Sequence, residues 1–235
     1  MASVSRRQRV SPFSSIKAIL FDIDDTLFPS SEFSLLARKN AVSAMIRAGL
    51  KTTPKKAQAE LLRIIAANGS NFSGHFDLLS KHFPCKDRFR VVAAGVGAYH
   101  NTKSSISPYP GVADTLLELR SRGYILAIAS EGLAVKQWDK LIRLGLDPLF
   151  HQVFVTSSKT GGKNAAFYRR AARSLHLPPS SILMVGDNPA KDIAPAKAAG
   201  MRTVRIRAGK HIPTPDTADA RMARLDRLVE LLLSP

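Results

Sequence analysis

The feature that most limits what this chain can become is a rhythm. Five short apolar runs, Lys17–Phe21, Tyr124–Ala129, Gln152–Thr156, Ile182–Val185 and Thr203–Ile206, alternate with stretches of helical spacing. Runs this short, bounded by turn residues, read as strands. Strands that alternate with helices call for right-handed crossovers and a mostly parallel sheet, so the expected class is α/β.

Helix stops support this pattern. Pro110–Leu119 carries Val112, Leu116 and Leu119 on one side, with Gly123 beyond it. Leu133–Leu144 repeats the arrangement, with Val135, Trp138, Leu141, Ile142 and Leu144 assigned to the core face and Gly145 as the stop. Asn164–His176 runs up to Pro178-Pro179, Pro189–Ala199 runs up to Gly200, and Asp219–Leu233 reads as a C-terminal amphipathic helix. Glycine just past the end and proline beyond it are ordinary helix terminators.

The stretch 29–107 breaks the rhythm and reads as helix alone. Ser31 starts a helix that reaches Ala48. Thr53-Pro54 pairs an N-cap with proline at the first helical position, and Asn68-Gly69 closes that segment. Phe76–His82 and Asp87–His100 follow. The expected division is a basic tail over 1–15, a core made of 16–28 and 108–235, and an all-helical insert over 29–107.

Composition sets outer bounds. The chain has 235 residues, 45% of them hydrophobic, which is ordinary for a folded protein and too rich for a disordered one. No run of about 18 uninterrupted apolar residues is present, so no spanning helix and no membrane partner are expected. The single cysteine, Cys85, allows no internal disulfide and fits a reducing compartment. The opening MASVSRRQRVSPFSS is basic and serine-rich like a transit peptide but lacks the apolar region of a secretory signal, so a cytoplasmic location is expected. The net charge is +17. Nucleic-acid binding is the specific reading of that excess. A dispersed basic surface is favoured over it, because no stripe of arginine with aromatic residues appears.

Against this basic background, Asp22, Asp24 and Asp25 stand in a stretch, 18–27, with no basic residue. They follow the apolar run Ala18–Phe21, and ligands of parallel sheets gather beyond the carboxyl ends of strands. Residues two apart in an extended chain share a side, so Asp22 and Asp24 address one place. Crowded carboxylates need a cation or a shared proton, and a hard divalent ion such as Mg²⁺ suits oxygen ligands and phosphate substrates. A second apolar run, Ile182–Val185, leads into Gly186-Asp187, with Asp192 five residues later. Ser130, with the backbone around Glu131 and Gly132, closes a third strand and offers donors for phosphate oxygens. The loop Ser157–Asn164 presents Lys159 and Lys163, either of which can neutralise phosphate or nucleophile charge.

Taken in order, Asp22-x-Asp24-x-Thr26, Ser130, Lys163 and Gly186-Asp187-x4-Asp192 resemble the haloacid dehalogenase-like superfamily over about residues 16–212, and the wording GLAVKQWDKLIRLGL and KAAGMRTVRIRAGK resembles an archaeal branch of it. The resemblance implies a Rossmann-like three-layer core with a helical cap inserted after the first motif. It implies that Asp22 attacks phosphorus, and that Asp24 protonates the leaving group and then accepts the proton of the hydrolytic water. Mg²⁺ would be held by Asp22, the backbone carbonyl of Asp24, and Asp187. Asp192 would support the metal through water or Lys163, and Thr26 would shape the turn. The implied activity is a Mg²⁺-dependent phosphatase on a small phosphorylated metabolite, acting through an aspartyl phosphate. A phosphoryl-transferring mutase and a dehalogenase are the alternatives within the superfamily, and Asp24 speaks against the dehalogenase. Two positions depart from the pattern: Asn164 follows the lysine where proline is usual, and Glu131 stands where Asp or Asn is common. In the insert, Arg38, Lys39, Asn71, His75, His100 and Lys103 are the polar candidates for selecting a substrate. Oligomeric state has no signature in the sequence.

Overall fold

A computed structural model describes residues 12–69 and 72–234. Asn71 and the first eleven residues of the basic tail lie outside that range. Phe13, assigned to the tail from sequence, is buried, and Phe13 O accepts a hydrogen bond from the Ile16 amide at 3.2 Å.

The chain divides into two compact units, one formed by the first strand together with everything from Ser107 onward, the other by Ser31–Ile106. The first unit is built on a sheet. Its strands are β1 (Ala18–Phe21), β2 (Ile125–Glu131), β3 (Gln152–Thr156), β4 (Ile182–Gly186), β5 (Arg202–Ile206) and β6 (Ala220–Met222). The sheet order among the described residues is β3-β2-β1-β4-β5-β6, and every pairing is parallel. Parallel sheets are buried on both faces, and the apolar character of β1 and β4 on both sides follows from that. Ala18 and Leu20 of β1 join Ala127, Ala129, Ile182 and Met184 on one face. Phe167, Ala171 and Ala172 of the helix Ala165–Ser174 pack there, as does Ala196 of the short helix Ala194–Ala198.

The second unit is helical: α1 (Ser30–Arg47), α2 (Pro54–Asn68), α3 (His75–His82) and α4 (Arg88–Ser104). Thr53 caps α2, its hydroxyl accepting from the Lys56 amide, and Asp87 caps α4 through the Arg90 amide. Met45, Leu61, Phe76, Leu79 and Val91 form its core. His75 of this unit bonds Gly69 O at 2.9 Å, and Lys103 lies over the Tyr99 ring at 5.5 Å. Returning to the sheet unit, the helices continue as α5 (Val112–Ser121), α6 (Ala134–Arg143), α7 (Ala165–Ser174), α8 (Ala194–Ala198) and α9 (Leu228–Leu233).

Three expectations need correction. Asp219–Leu233 is not one helix: Ala220–Met222 is the sixth strand, and only Leu228–Leu233 is α-helical. The cause lies outside the segment. The Asp219 carboxylate accepts from both the Thr203 amide and the Thr203 hydroxyl at 2.8 Å, which lays the chain alongside β5. Pro189–Ala199 is likewise not a uniform helix, because its first turn, Pro189–Ile193, is π-helical. The third correction concerns the orientation of α6. Val135, Trp138 and Ile142 are exposed (81%, 43% and 61%), while Gln137 is buried together with Leu141. Of the stripe read as the core face, Leu141 and Leu144 are buried as expected, but Val135, Trp138 and Ile142 point to solvent and a polar side chain points in.

Candidate active site

Strand order explains how acids distant in sequence meet. β1 and β4 are neighbours, with Phe21 paired to Val185 and the Asp22 amide donating to Val185 O at 2.9 Å. Asp22 and Asp187 therefore leave the sheet side by side at its carboxyl end. Asp192 comes to the same point from the π-helical turn, where the wider backbone spacing seats a fully buried carboxylate. One carboxylate oxygen from each of Asp22, Asp187 and Asp192 lies within 4.8 Å of the others. Gly186 is needed at the end of β4, since a Cβ there would overlap the Asp192 carboxylate.

Lys163 enters this cluster. Its ammonium donates to Asp22 Oδ1 at 2.5 Å and to Asp192 Oδ1 at 2.7 Å, with only 3% of its side chain exposed. Asp192 Oδ2 accepts from the Asn188 amide at 3.0 Å. Lys159 stands in an exposed single turn, Ser158–Thr160. Of the two lysines left open by the sequence, Lys163 is the one brought to the acids.

The electrostatics are unbalanced. Burial pushes the Asp22 carboxyl up to about 7, although the Lys163 ammonium pulls it the other way. Burial, aided by the charges of Asp22 and Asp192, pushes Asp187 up to about 8. Burial opposes the charge on Lys163, but Asp192 and Asp22 outweigh it and hold its ammonium well above its ordinary range. Among the described residues the buried Asp187 carboxylate takes no hydrogen bond and no ion pair. When all three are ionised, the carboxylates facing one ammonium leave two negative charges, and a partnerless buried carboxylate is costly. The donor set, all hard oxygen atoms with a charge deficit of two, fits a divalent cation such as Mg²⁺.

Ser130, Glu131, Asp24 and Thr26 are also in the sheet unit, in distinct roles, whereas Arg38, Lys39, His75, His100 and Lys103 belong to the helical unit. Ser130 is buried near the end of β2, and its hydroxyl donates to Gln137 Oε1 at 3.1 Å. Glu131 belongs to β2 and not to the turn. Its carboxylate accepts from the Lys163 amide at 3.2 Å and pairs with the Lys191 ammonium at 2.7 Å. Burial works against its ionised form, but the hydrogen bonds from Lys191 and Lys163 prevail and hold it below the usual carboxylate range. That side chain fixes the lysine loop, so any hold on phosphate at this position falls to its backbone. Asp24 is not among the clustered carboxylates. Both its oxygens accept from the Lys140 ammonium, at 2.8 and 2.6 Å. Thr26 is buried in the turn, its hydroxyl without a hydrogen-bond partner among the described residues.

Sequence reasoning passed over Lys140, Gln137, Lys191 and Arg205. Arg205 is buried in β5 and donates to Asp187 O at 3.3 Å, to Thr214 O and the Asp216 carboxylate at 2.5 Å, and to His211 O. A charged residue inside an apolar strand was the available signal for it. The signal for Gln137 and Lys140 was their spacing of three on a helix just after Ser130, masked by the apolar pattern of Val135, Trp138, Leu141 and Ile142 around them.

A family model described as haloacid dehalogenase-like hydrolase matches residues 16–200. A glyceraldehyde 3-phosphate phosphatase from Methanopyrus kandleri is 46% identical over 200 residues, covering 83% of this chain and 86% of the relative. One from Methanocaldococcus jannaschii is 42% identical, covering 92% of this chain and 97% of the relative. Among solved structures, a phosphatase of the same superfamily from Thermococcus onnurineus matches with a TM-score of 0.67 at 24% identity, covering 93% of this chain and 98% of that one.

Proposed function

The chain belongs to the haloacid dehalogenase-like hydrolases, and we propose that it is a Mg²⁺-dependent phosphatase that hydrolyses a small phosphorylated metabolite through an aspartyl phosphate on Asp22. The observation that carries this is the cluster of Asp22, Asp187 and Asp192 with Lys163 inserted, two positive charges short of neutrality. The names of the relatives supply the candidate substrate, glyceraldehyde 3-phosphate.

The residues divide the chemistry among themselves. Asp22 and Asp187, with the backbone carbonyl of Asp24, would hold Mg²⁺, and Asp192 would act behind them through Lys163. When bound, the ion supplies positive charge that lets a carboxylate approach a phosphate dianion. Lys163 adds a fixed positive charge beside the nucleophile. At the end of β2 the Gly132 amide already donates to Thr156 O and the Ser130 hydroxyl to Gln137, so phosphate oxygens fall to the Glu131 amide and to Ser130 once its hydroxyl turns. Asp22 attacks phosphorus, Asp24 gives a proton to the leaving oxygen, and Asp24 then takes the proton of the attacking water.

The test is turnover of glyceraldehyde 3-phosphate and a panel of phosphorylated metabolites, with Mg²⁺ and with chelator, for the native chain and for Asp22→Asn. Turnover that needs both the metal and Asp22 is expected. Full activity in chelator, or in Asp22→Asn, overturns the assignment.

A further inference from the structure

The orientation of α6 is at odds with its own sequence. Val135, Trp138 and Ile142 are left in solvent while Gln137 is buried and Lys140 is largely covered, with 19% of its side chain exposed. Exposing a Trp and two aliphatic side chains while burying an amide runs against the hydrophobic preference, so the inward polar pair answers some other demand.

What the pair touches identifies the demand. The Lys140 ammonium donates to both oxygens of Asp24 and, at 3.2 Å, to Gln137 Oε1. The same Gln137 oxygen accepts from Ser130 Oγ. A continuous chain of hydrogen bonds thus runs from Ser130 through Gln137 and Lys140 to Asp24. Gly132, at φ +154°, leaves room for it, because a Cβ there would collide with the Gln137 amide. Asp24 carries 40% side-chain exposure, and among the described residues its carboxylate is bonded by Lys140 alone, so Lys140 is what fixes its direction.

We propose that Lys140, braced by Gln137, is a positioning residue that holds Asp24 as an oriented proton acceptor for the hydrolysis of the phosphoenzyme. The proposal rests on the aspartyl-phosphate reading above. In that step the water oxygen bonds to phosphorus and the bond from phosphorus to the Asp22 oxygen breaks. Its electron pair returns to the Asp22 carboxylate, the water proton passes to Asp24, and inorganic phosphate leaves. Misplacing an acid–base group by about 1 Å costs up to ~100-fold in rate. Without Lys140, breakdown of the phosphoenzyme lags, while its formation continues from an ester such as p-nitrophenyl phosphate, whose leaving group needs no proton from Asp24.

The experiment compares the native chain with Lys140→Met and Lys140→Arg on p-nitrophenyl phosphate and on glyceraldehyde 3-phosphate. It reads kcat for each ester and the fraction of enzyme that is acid-stable phosphoenzyme at steady state. Lys140→Met is expected to lower kcat about 10- to 100-fold on both esters, and to raise the phosphoenzyme fraction with p-nitrophenyl phosphate, where only the breakdown step needs Asp24. Lys140→Arg restores most of each. In an Asp24→Asn background, Lys140→Met adds nothing further, since residues acting through one another are non-additive. On p-nitrophenyl phosphate, a fall in kcat with an unchanged or smaller phosphoenzyme fraction overturns the proposal, as does full additivity with Asp24→Asn. Should Lys140→Met not fold, Lys140→Gln carries the same expectations. If no variant, the native chain included, ever forms phosphoenzyme and Asp22→Asn stays active, the fault lies in the aspartyl-phosphate reading, and the proposal goes with it.

Discussion

Two lysine–aspartate pairs stand at the carboxyl end of the sheet, and they are built on opposite principles. Lys163 is 3% exposed, comes from a loop, and is shared by two buried carboxylates. Lys140 comes from a helix, is 19% exposed, and grips both oxygens of one half-exposed carboxylate. The first pair is a charge problem: one ammonium cannot balance Asp22, Asp187 and Asp192, so the site draws in a cation. The second is a problem of direction, since Asp24 needs no more charge than it has but must point one way. Depth decides which problem a salt bridge solves, because burial multiplies the cost of an unmatched charge and exposure screens it.

The sharpest way to break the first pair is at its nucleophile. Asp22→Asn is expected to cut phosphatase turnover by roughly four to six orders of magnitude, the range seen when a covalent nucleophile is removed, as measured by phosphate release. Lys163→Met comes next. It leaves Asp22 and Asp192 facing each other with no ammonium, and removing one partner of a buried ion pair costs about 3–5 kcal/mol. Chemical denaturation reads that loss, and a change under about 1 kcal/mol would contradict the buried pairing. Lys140→Met, by contrast, should move stability by no more than about 1 kcal/mol, because a partly exposed pair contributes little to folding. A large loss there would erase the contrast between the two lysines.

The same buried cluster sets a pH dependence. An aspartate ionises near 3.8 when unfolded, whereas in the folded chain burial holds Asp22 at about 7 and Asp187 at about 8. The unfolded chain therefore loses these protons first as pH rises. The metal-free protein should lose stability from about pH 4 upward, with the penalty complete once pH has passed about 8. A cation that replaces those protons offsets the penalty, so the rise in melting temperature on adding Mg²⁺ should be larger at pH 8 than at pH 5. Asp187→Asn should shrink that difference. A Mg²⁺ effect independent of pH would contradict the charge deficit.

The sheet was legible because its signal is local. Short apolar runs bounded by turn residues, such as Ala18–Phe21 and Ile182–Gly186, are set by composition over a few residues. Two parallel strands that each run into an acid already pointed to Asp22 and Asp187 meeting, whereas the close approach of Asp192 to Gly186 shows only in the structure. What stayed hidden depends on partners far along the chain. The sixth strand is fixed by Asp219 reaching Thr203, and nothing within Ala220–Met222 announces it. Helix α6 misled for a related reason. Its periodicity assigns Val135, Trp138 and Ile142 to the core, but its inward face is chosen by Asp24, 116 residues from Lys140, and by Ser130. A helix that serves a site can turn polar side chains inward, and hydrophobic periodicity then places Leu141 and Leu144 correctly but misplaces Val135, Trp138 and Ile142.

The central claim, that the buried Asp22 takes up a phosphoryl group beside its lysine and its acidic neighbours, is tested most directly by trapping. The enzyme would be mixed with ³²P-labelled substrate and Mg²⁺, quenched in acid within the first turnovers, and the labelled peptide mapped. The expected result is label on the peptide containing Asp22, absent in Asp22→Asn. Label on any other residue, or multiple turnovers with no trapped phosphoryl group in either the native chain or Asp24→Asn, would contradict it.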